Sequence, residues 1–225
     1  MPSPDDIRLE IILLETDAKI EKKILQYTAK LVNEKIGKLV KRPDFMDKFS
    51  KVFKKWIFDS LALQELRGNT KLRADLGLSR TGAARASGAI ADAVSQTLTF
   101  SYQKWDAKLT GGRLQISIQP SNFENVLNQS WAEFESEGGY RIPWLSWLLT
   151  RGDDVIITGY EVGYGRGLGR SGIGRMSGDG EDSRLTFRVN PAFSGTMDKN
   201  FITEALTSRD KIKEIRDIFI SFIVR

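Results

Sequence analysis

The stretch Leu98–Pro120, LTFSYQKWDAKLTGGRLQISIQP, decides the fold class, because there the hydrophobic period of the chain changes. Leu98, Phe100 and Tyr102 alternate with Thr97, Thr99 and Ser101, and beyond Gly111-Gly112 the alternation returns in Leu114, Ile116 and Ile118. Period two sends successive side chains to opposite faces of a strand, so two such runs joined at glycines predict a β-hairpin. Upstream of it the chain runs on a helical period instead.

Toward the N-terminus, Ser3-Pro4-Asp5-Asp6 supplies the hydroxyl, proline and acids that suit a first helical turn. Ile20, Ile24, Tyr27 and Leu31, then Val32, Ile36 and Leu39, keep a three- and four-residue spacing that carries the helix to about Lys41. Such a rod is roughly 50 Å long at 1.5 Å per residue. Arg42-Pro43 ends it, and Asp44 caps a second helix with Phe45, Phe49, Val52, Phe53, Trp56 and Ile57 on one core-facing side, stopped by Gly68-Asn69. Leu72–Leu78 reads as a short helical turn. The run SRTGAARASGAIADAV from Ser79 reads as a mobile connector that ends in a small helix.

Toward the C-terminus, Phe123–Leu127 is a short piece, and WAEFESE predicts a strand with Glu133, Glu135 and Glu137 on one face. Pro143 opens a short buried helix holding Trp144 and Trp147, and Asp153-Asp154 makes a turn. VIITGYEVGY and RLTFRVN then form a second hairpin with an oversized tip. Asn200 caps FITEAL, and Ser208-Arg209-Asp210 restarts a helix with Ile212, Ile215, Phe219 and Phe222 at helical spacing. The predicted class is α+β, an antiparallel β-sheet packed by helices. Two helices over 1–66 form the N-terminal part and a core with a C-terminal helix fills 67–225, the alternative being one single domain with the N-terminal helices packed on it. A long glycine-rich loop interrupts the second hairpin.

The 225 residues include no cysteine and no histidine, which removes disulfides, thiol nucleophiles, the usual zinc ligands and the commonest general base. The prediction is a protein without catalytic residues, metal or cofactor. Glu133, Glu135 and Glu137 could offer a cation three carboxylates, but no other element nominates a fourth ligand, and an acidic strip facing solvent or a partner fits better. No apolar run reaches the length of a membrane span, and MPSPDDIRLE lacks the basic-then-apolar order of a signal peptide, so no membrane partner and no secretion are expected.

The net charge of +5 is unevenly spread, with 12 Lys or Arg against 4 Asp or Glu between Lys19 and Lys55. Lys19, Lys22, Lys23, Lys30, Lys51, Lys54 and Lys55 are therefore candidates for contact with DNA or an acidic partner, the alternative being a solvated helix face. The glutamate strip of WAEFESE is their candidate complement on another copy.

Nine glycines fall between Gly159 and Gly180, interleaved with arginines. Gly167-Leu-Gly-Arg-Ser-Gly172 formally satisfies G-x-G-x-x-G, but it follows no parallel strand and opens no helix, so it is not a dinucleotide cradle. A tip so rich in glycine loses much backbone entropy on ordering. It is expected to be mobile alone and ordered against a partner, to which Gly165, Arg166, Gly169, Arg170 and Arg175 offer amides and guanidinium forks.

The order of blocks in the second half carries a resemblance. GGRLQISIQP, NFENVLNQS, IPWLSWLLTRGDDVIITGYEV, the loop with GRSGIGRM and then LTFRVNPAFSGTMDKNFITEAL resemble the neck proteins of tailed bacteriophages, also called tail-completion or head-to-tail connector proteins. Coverage runs from about Leu66 to Leu206. The resemblance implies a structural virion protein assembled in the host cytoplasm and located at the head-tail junction. Its copies would form a homo-oligomeric ring, a hexamer or dodecamer, between the portal or a head-completion adaptor and the tail proteins, with genomic DNA passing through the lumen. A tail-terminator protein of the same junction is the nearest rival. A basic nucleic-acid-binding protein is the rival from another class.

Overall fold

A computed structural model of the chain describes residues 16–68, 70–136, 138–177 and 185–223. The expected helix start at Ser3–Asp6 lies outside the described residues. Among those described, the helices are α1 (Asp17–Leu39), α2 (Pro43–Phe58), α3 (Leu61–Arg67), α4 (Lys71–Asp75), α5 (Arg80–Ser95), α6 (Glu124–Leu127), α7 (Trp144–Thr150), α8 (Phe201–Thr207) and α9 (Arg209–Ile223). The strands are β1 (Thr99–Gln103), β2 (Arg113–Ser117), β3 (Phe134–Glu135), β4 (Arg141–Ile142), β5 (Ile157–Thr158), β6 (Glu161–Tyr164), β7 (Gly174–Ser177) and β8 (Thr186–Phe187). The class is α+β, as the change of period predicts. The strands form four separate pairs, β1-β2, β3-β4, β5-β8 and β6-β7, in place of one sheet.

Two compact units result. One takes the described residues up to Arg42 together with Phe100–Gln115, and the other takes Pro43–Thr99 and the chain from Ile116 onward. The division expected at residue 66 is not the observed one, because α2 packs on α5 and α8 and so belongs with the core.

In the first unit, Asn33 of α1 holds the loop between β1 and β2. Its amide nitrogen donates to the Trp105 carbonyl at 2.9 Å, and its oxygen accepts from the Trp105 amide at 2.9 Å and from the Tyr102 hydroxyl. One side chain thus satisfies both main-chain groups of a loop residue, as a neighbouring strand would. The Trp105 indole lies where a Cβ on Gly112 would come within 2.0 Å, so the glycine is what lets the ring lie on the backbone. Asp106 folds the rest of the loop, accepting from the amides of Lys108 and Thr110 at 2.8 Å each and from the Thr110 hydroxyl at 2.6 Å.

In the second unit, α2 presents the predicted aromatic face. Phe45, Phe49, Phe53, Trp56 and Ile57 are buried, each phenyl ring contributing about 1.5–3 kcal/mol of transfer free energy. Two departures from the sequence reading stand out. The helix breaks at Asp59-Ser60 before resuming as α3, and the run from Ser79 is no connector. It is α5, a full helix capped by the Ser79 hydroxyl, which accepts from the Gly82 amide at 3.0 Å. Ala83, Ala86, Ser87, Ile90, Ala91 and Val94 recur every three or four residues and are all buried. Alanine is the best helix former, so six alanines offset the ~1 kcal/mol cost of each glycine, and their small side chains admit α2 and α3 closely.

The same core holds α7, whose Trp144, Leu145, Trp147, Leu148 and Leu149 are buried. Trp144 is fully buried, and its indole N–H donates to the Trp131 carbonyl at 3.0 Å. Asn200 caps α8 as predicted, in a reciprocal capping box with Thr203. Of α9 no residue is buried; Phe219 and Phe222 meet Phe45 edge-on at 6.2 and 5.2 Å, and the Trp56 indole donates to Glu214 at 3.0 Å.

Candidate interaction surfaces

The glycine-rich segment is the first candidate. Its flanking strands do not pair with each other as one long hairpin. Gly159, at a φ of 69°, separates β5, which pairs with β8, from β6, which pairs with β7 in the register Val162 with Met176 and Tyr164 with Gly174. The tip is knit to itself. The Ser171 hydroxyl donates to the Gly174 carbonyl at 2.9 Å and accepts from the Ile173 and Gly174 amides, while the Gly165 amide reaches the Ile173 carbonyl. Gly169 has a φ of 60°, and a Cβ there would lie 2.3 Å from the Gly174 carbonyl oxygen, so no other residue fits.

This hairpin is clamped from α4 by two buried charges. Arg73 donates to the Gly68 carbonyl and, at 3.2 Å, to the Ser171 carbonyl of the tip. Asp75 accepts from the Tyr164 hydroxyl, and the Lys71 ammonium lies 5.0 Å from the centre of the Tyr164 ring. Up to Ser177 the tip thus has contacts within its own chain, to Arg73, Asp75 and the Glu135 carbonyl. Residues 178–184 of the loop lie outside the described residues.

Burial raises the Asp75 carboxyl above the ordinary range, with the Tyr164 hydrogen bond and Lys71 pulling it partly back. Burial and the Asp75 carboxylate raise Tyr164. Folded Asp75 thus holds its proton at a pH where the unfolded chain has released it, and stability must fall as pH rises from roughly 4 through the raised value. Asp75→Asn keeps an acceptor for Tyr164 and removes that loss. The urea midpoint of the variant relative to the parent should be higher at pH 7 than at pH 3.5; an equal difference at both would show that burial of the carboxylate costs nothing.

The acidic strip is the second candidate, and it is shorter than predicted. The strand is only Phe134–Glu135, because the Ser136 amide already donates to the Tyr140 carbonyl and the amide of Gly139, whose φ is 77°, to the Ser136 carbonyl, which brings the chain back as β4. Glu133 is paired with Arg141 at 3.3 Å, and Glu137 lies outside the described residues. Arg170 of the tip stacks 4.6 Å above Phe134 and donates to the Glu135 carbonyl at 3.0 Å. One nominated arginine, Arg170, thus meets the main chain of one nominated glutamate, Glu135, within the same chain. Arg166 and Arg175 stay exposed, beside an exposed Leu168.

The lysines are the third candidate. On α2, Lys51 pairs with Asp47 at 2.7 Å, Lys54 with Asp92 and Lys55 with Asp59 at 2.5 Å, which raises the Lys55 ammonium. On α1, Lys19, Lys22, Lys23 and Lys30 are exposed. Lys30 shares a groove of about 660 Å³ with Lys38, Lys41 and Lys104, above a floor that includes Asn33 and Gly37. A larger cleft of about 680 Å³, in the second unit, is lined by α2–α3, the 191–196 loop and α8–α9. Among the described residues, no group of His, Cys, Asp or Glu is placed to hold a metal, and no helix is long and apolar enough to cross a membrane.

Sequence reasoning missed Arg73, Asp75, Ser171 and Asn33. The one local signal was the pair of charges two apart inside the apolar run LRADLGL, too short to show a face. Compared with protein-family models, curated proteins and solved structures, the chain matches none of them.

Proposed function

We propose that the chain is a structural subunit of the neck of a tailed bacteriophage, whose copies close into a ring that joins the portal or its adaptor to the tail proteins and lets DNA through. The resemblance of the second half supplies the place in the virion. The observation that carries self-association is apolar helix surface left in water. Ile24, Tyr27 and Leu31 of α1 are 59%, 64% and 47% exposed, and Ile212 and Ile220 of α9 are 58% and 46% exposed. Apolar residues repeated on a helix face are costly to hydrate and mark contact with another chain. A ring needs two different patches, one meeting the other on the next copy, and two such helices provide them.

The test is the mass of the purified chain in native conditions. A closed multiple of 25.4 kDa is expected, and it should dissociate when Ile24 and Ile212 are both replaced by lysine. A 25.4 kDa species alone at every concentration overturns the ring.

A further inference from the structure

We infer that the first unit binds the phosphate backbone of double-stranded DNA along the lysine face of α1. Its described residues carry 11 Lys or Arg against Asp17, Glu21, Glu34 and Asp106. That concentration of charge in so short a span makes a local field that a polyanion neutralises. Asp106 and Glu34 line the same groove as Lys30, Lys38, Lys41 and Lys104, but the Asp106 carboxylate is engaged and held low by the Thr110 hydroxyl and by the Thr110 and Lys108 amides, so four lysines face two acids there.

The geometry favours a continuous polymer over a discrete ligand. Lys19 and Lys30 of α1 are eleven residues apart, a spacing that returns to nearly the same helical face after three turns, and Lys41 follows in the turn beyond the helix end. The Lys19–Lys30 interval rises ~16.5 Å, and B-DNA carries a phosphate charge every ~1.7 Å of axis, so a duplex offers phosphates near both without a fixed register. An acidic polypeptide would have to place its carboxylates in register. Lys30, Lys38, Lys41 and Lys104 converge on one groove, and nothing lies within 4 Å of a Cβ built on Gly37, so the floor is open to a bulky backbone. The indole of Trp105, the aromatic ring in that lining, is packed on Gly112 and turned to the loop, which selects a duplex backbone over stacking on single-stranded bases.

This inference goes beyond the ring, because it asks only for the free chain. The measurement is fluorescence anisotropy of the full chain with a labelled short duplex, repeated between roughly 50 and 200 mM salt. Four groove lysines on four phosphates give a slope of log K against log salt of about −3.6, a loss of on the order of a hundredfold over that range. The doubly substituted Lys30→Ala, Lys104→Ala chain should halve the slope to about −1.8. Both side chains are exposed, so the fold is spared. Lys51→Ala with Lys55→Ala, which removes lysines already paired with acids, should leave the slope unchanged. No binding at the lowest salt, an unchanged slope in the groove variant, or tighter binding of poly-glutamate than of duplex would each overturn the inference. A ring that ignores DNA sinks this inference alone, and a monomer that binds DNA with this slope sinks the ring alone.

Discussion

Trp144→Ala is expected to destabilise the second unit by about 3–5 kcal/mol, the usual cost of emptying a fully buried aromatic site. The ring is 0% exposed and lies in the cluster that also contains Leu145, Leu148, Ile90 and Val126. Three losses add: the transfer free energy of the indole, the contacts around the cavity, and the hydrogen bond that leaves the Trp131 carbonyl without its donor. Trp144→Phe separates them, since it keeps most of the volume and loses the donor, and it should cost about 1–3 kcal/mol. Urea denaturation reads both. A shift for alanine no larger than that for phenylalanine would mean that α7 does not anchor the core.

Arg73→Ala comes second, at about 2–4 kcal/mol, and its effect should be concentrated in one place. The guanidinium is 3% exposed and spans from the Gly68 carbonyl, at the end of α3, to the Ser171 carbonyl at the hairpin tip. Removing it strands two carbonyls and opens a hole between α4 and β6–β7. Amide exchange across Gly163–Met176 should accelerate far more than exchange in α5. Lysine should not rescue, because a single ammonium cannot fork to two acceptors in those directions. Uniform acceleration over the whole unit would show that Arg73 supports the core generally and does not clamp the tip.

What could be read from the sequence was what short periods write locally. The aromatic side of α2, the two tryptophans of α7, the Asn200 cap and the β1–β2 alternation each lie within a dozen or so residues and depend on no distant partner. The failures share one cause. Whether SRTGAARASGAIADAV is a helix depends on α2 and α3 being there to cover its alanines. What the glycine tip touches includes Arg73, whose bond to Ser171 crosses 98 positions. Asn33 and Trp105 are 72 positions apart, so nothing in either neighbourhood announces that the hairpin loop belongs with α1. The lysines were visible as a charge run, but only the fold distinguishes those of α2, neutralised by acids of their own chain, from those that converge above Gly37.

The strand pairs carry a last consequence. None of the described strands exceeds five residues, and two of the four pairs, β3-β4 and β5-β8, consist of two-residue strands that end almost where they begin. Edges this brief offer an incoming chain few main-chain partners. Any contact between chains would accordingly fall to side chains on helices, and heating or overexpression should yield amorphous precipitate before cross-β fibrils.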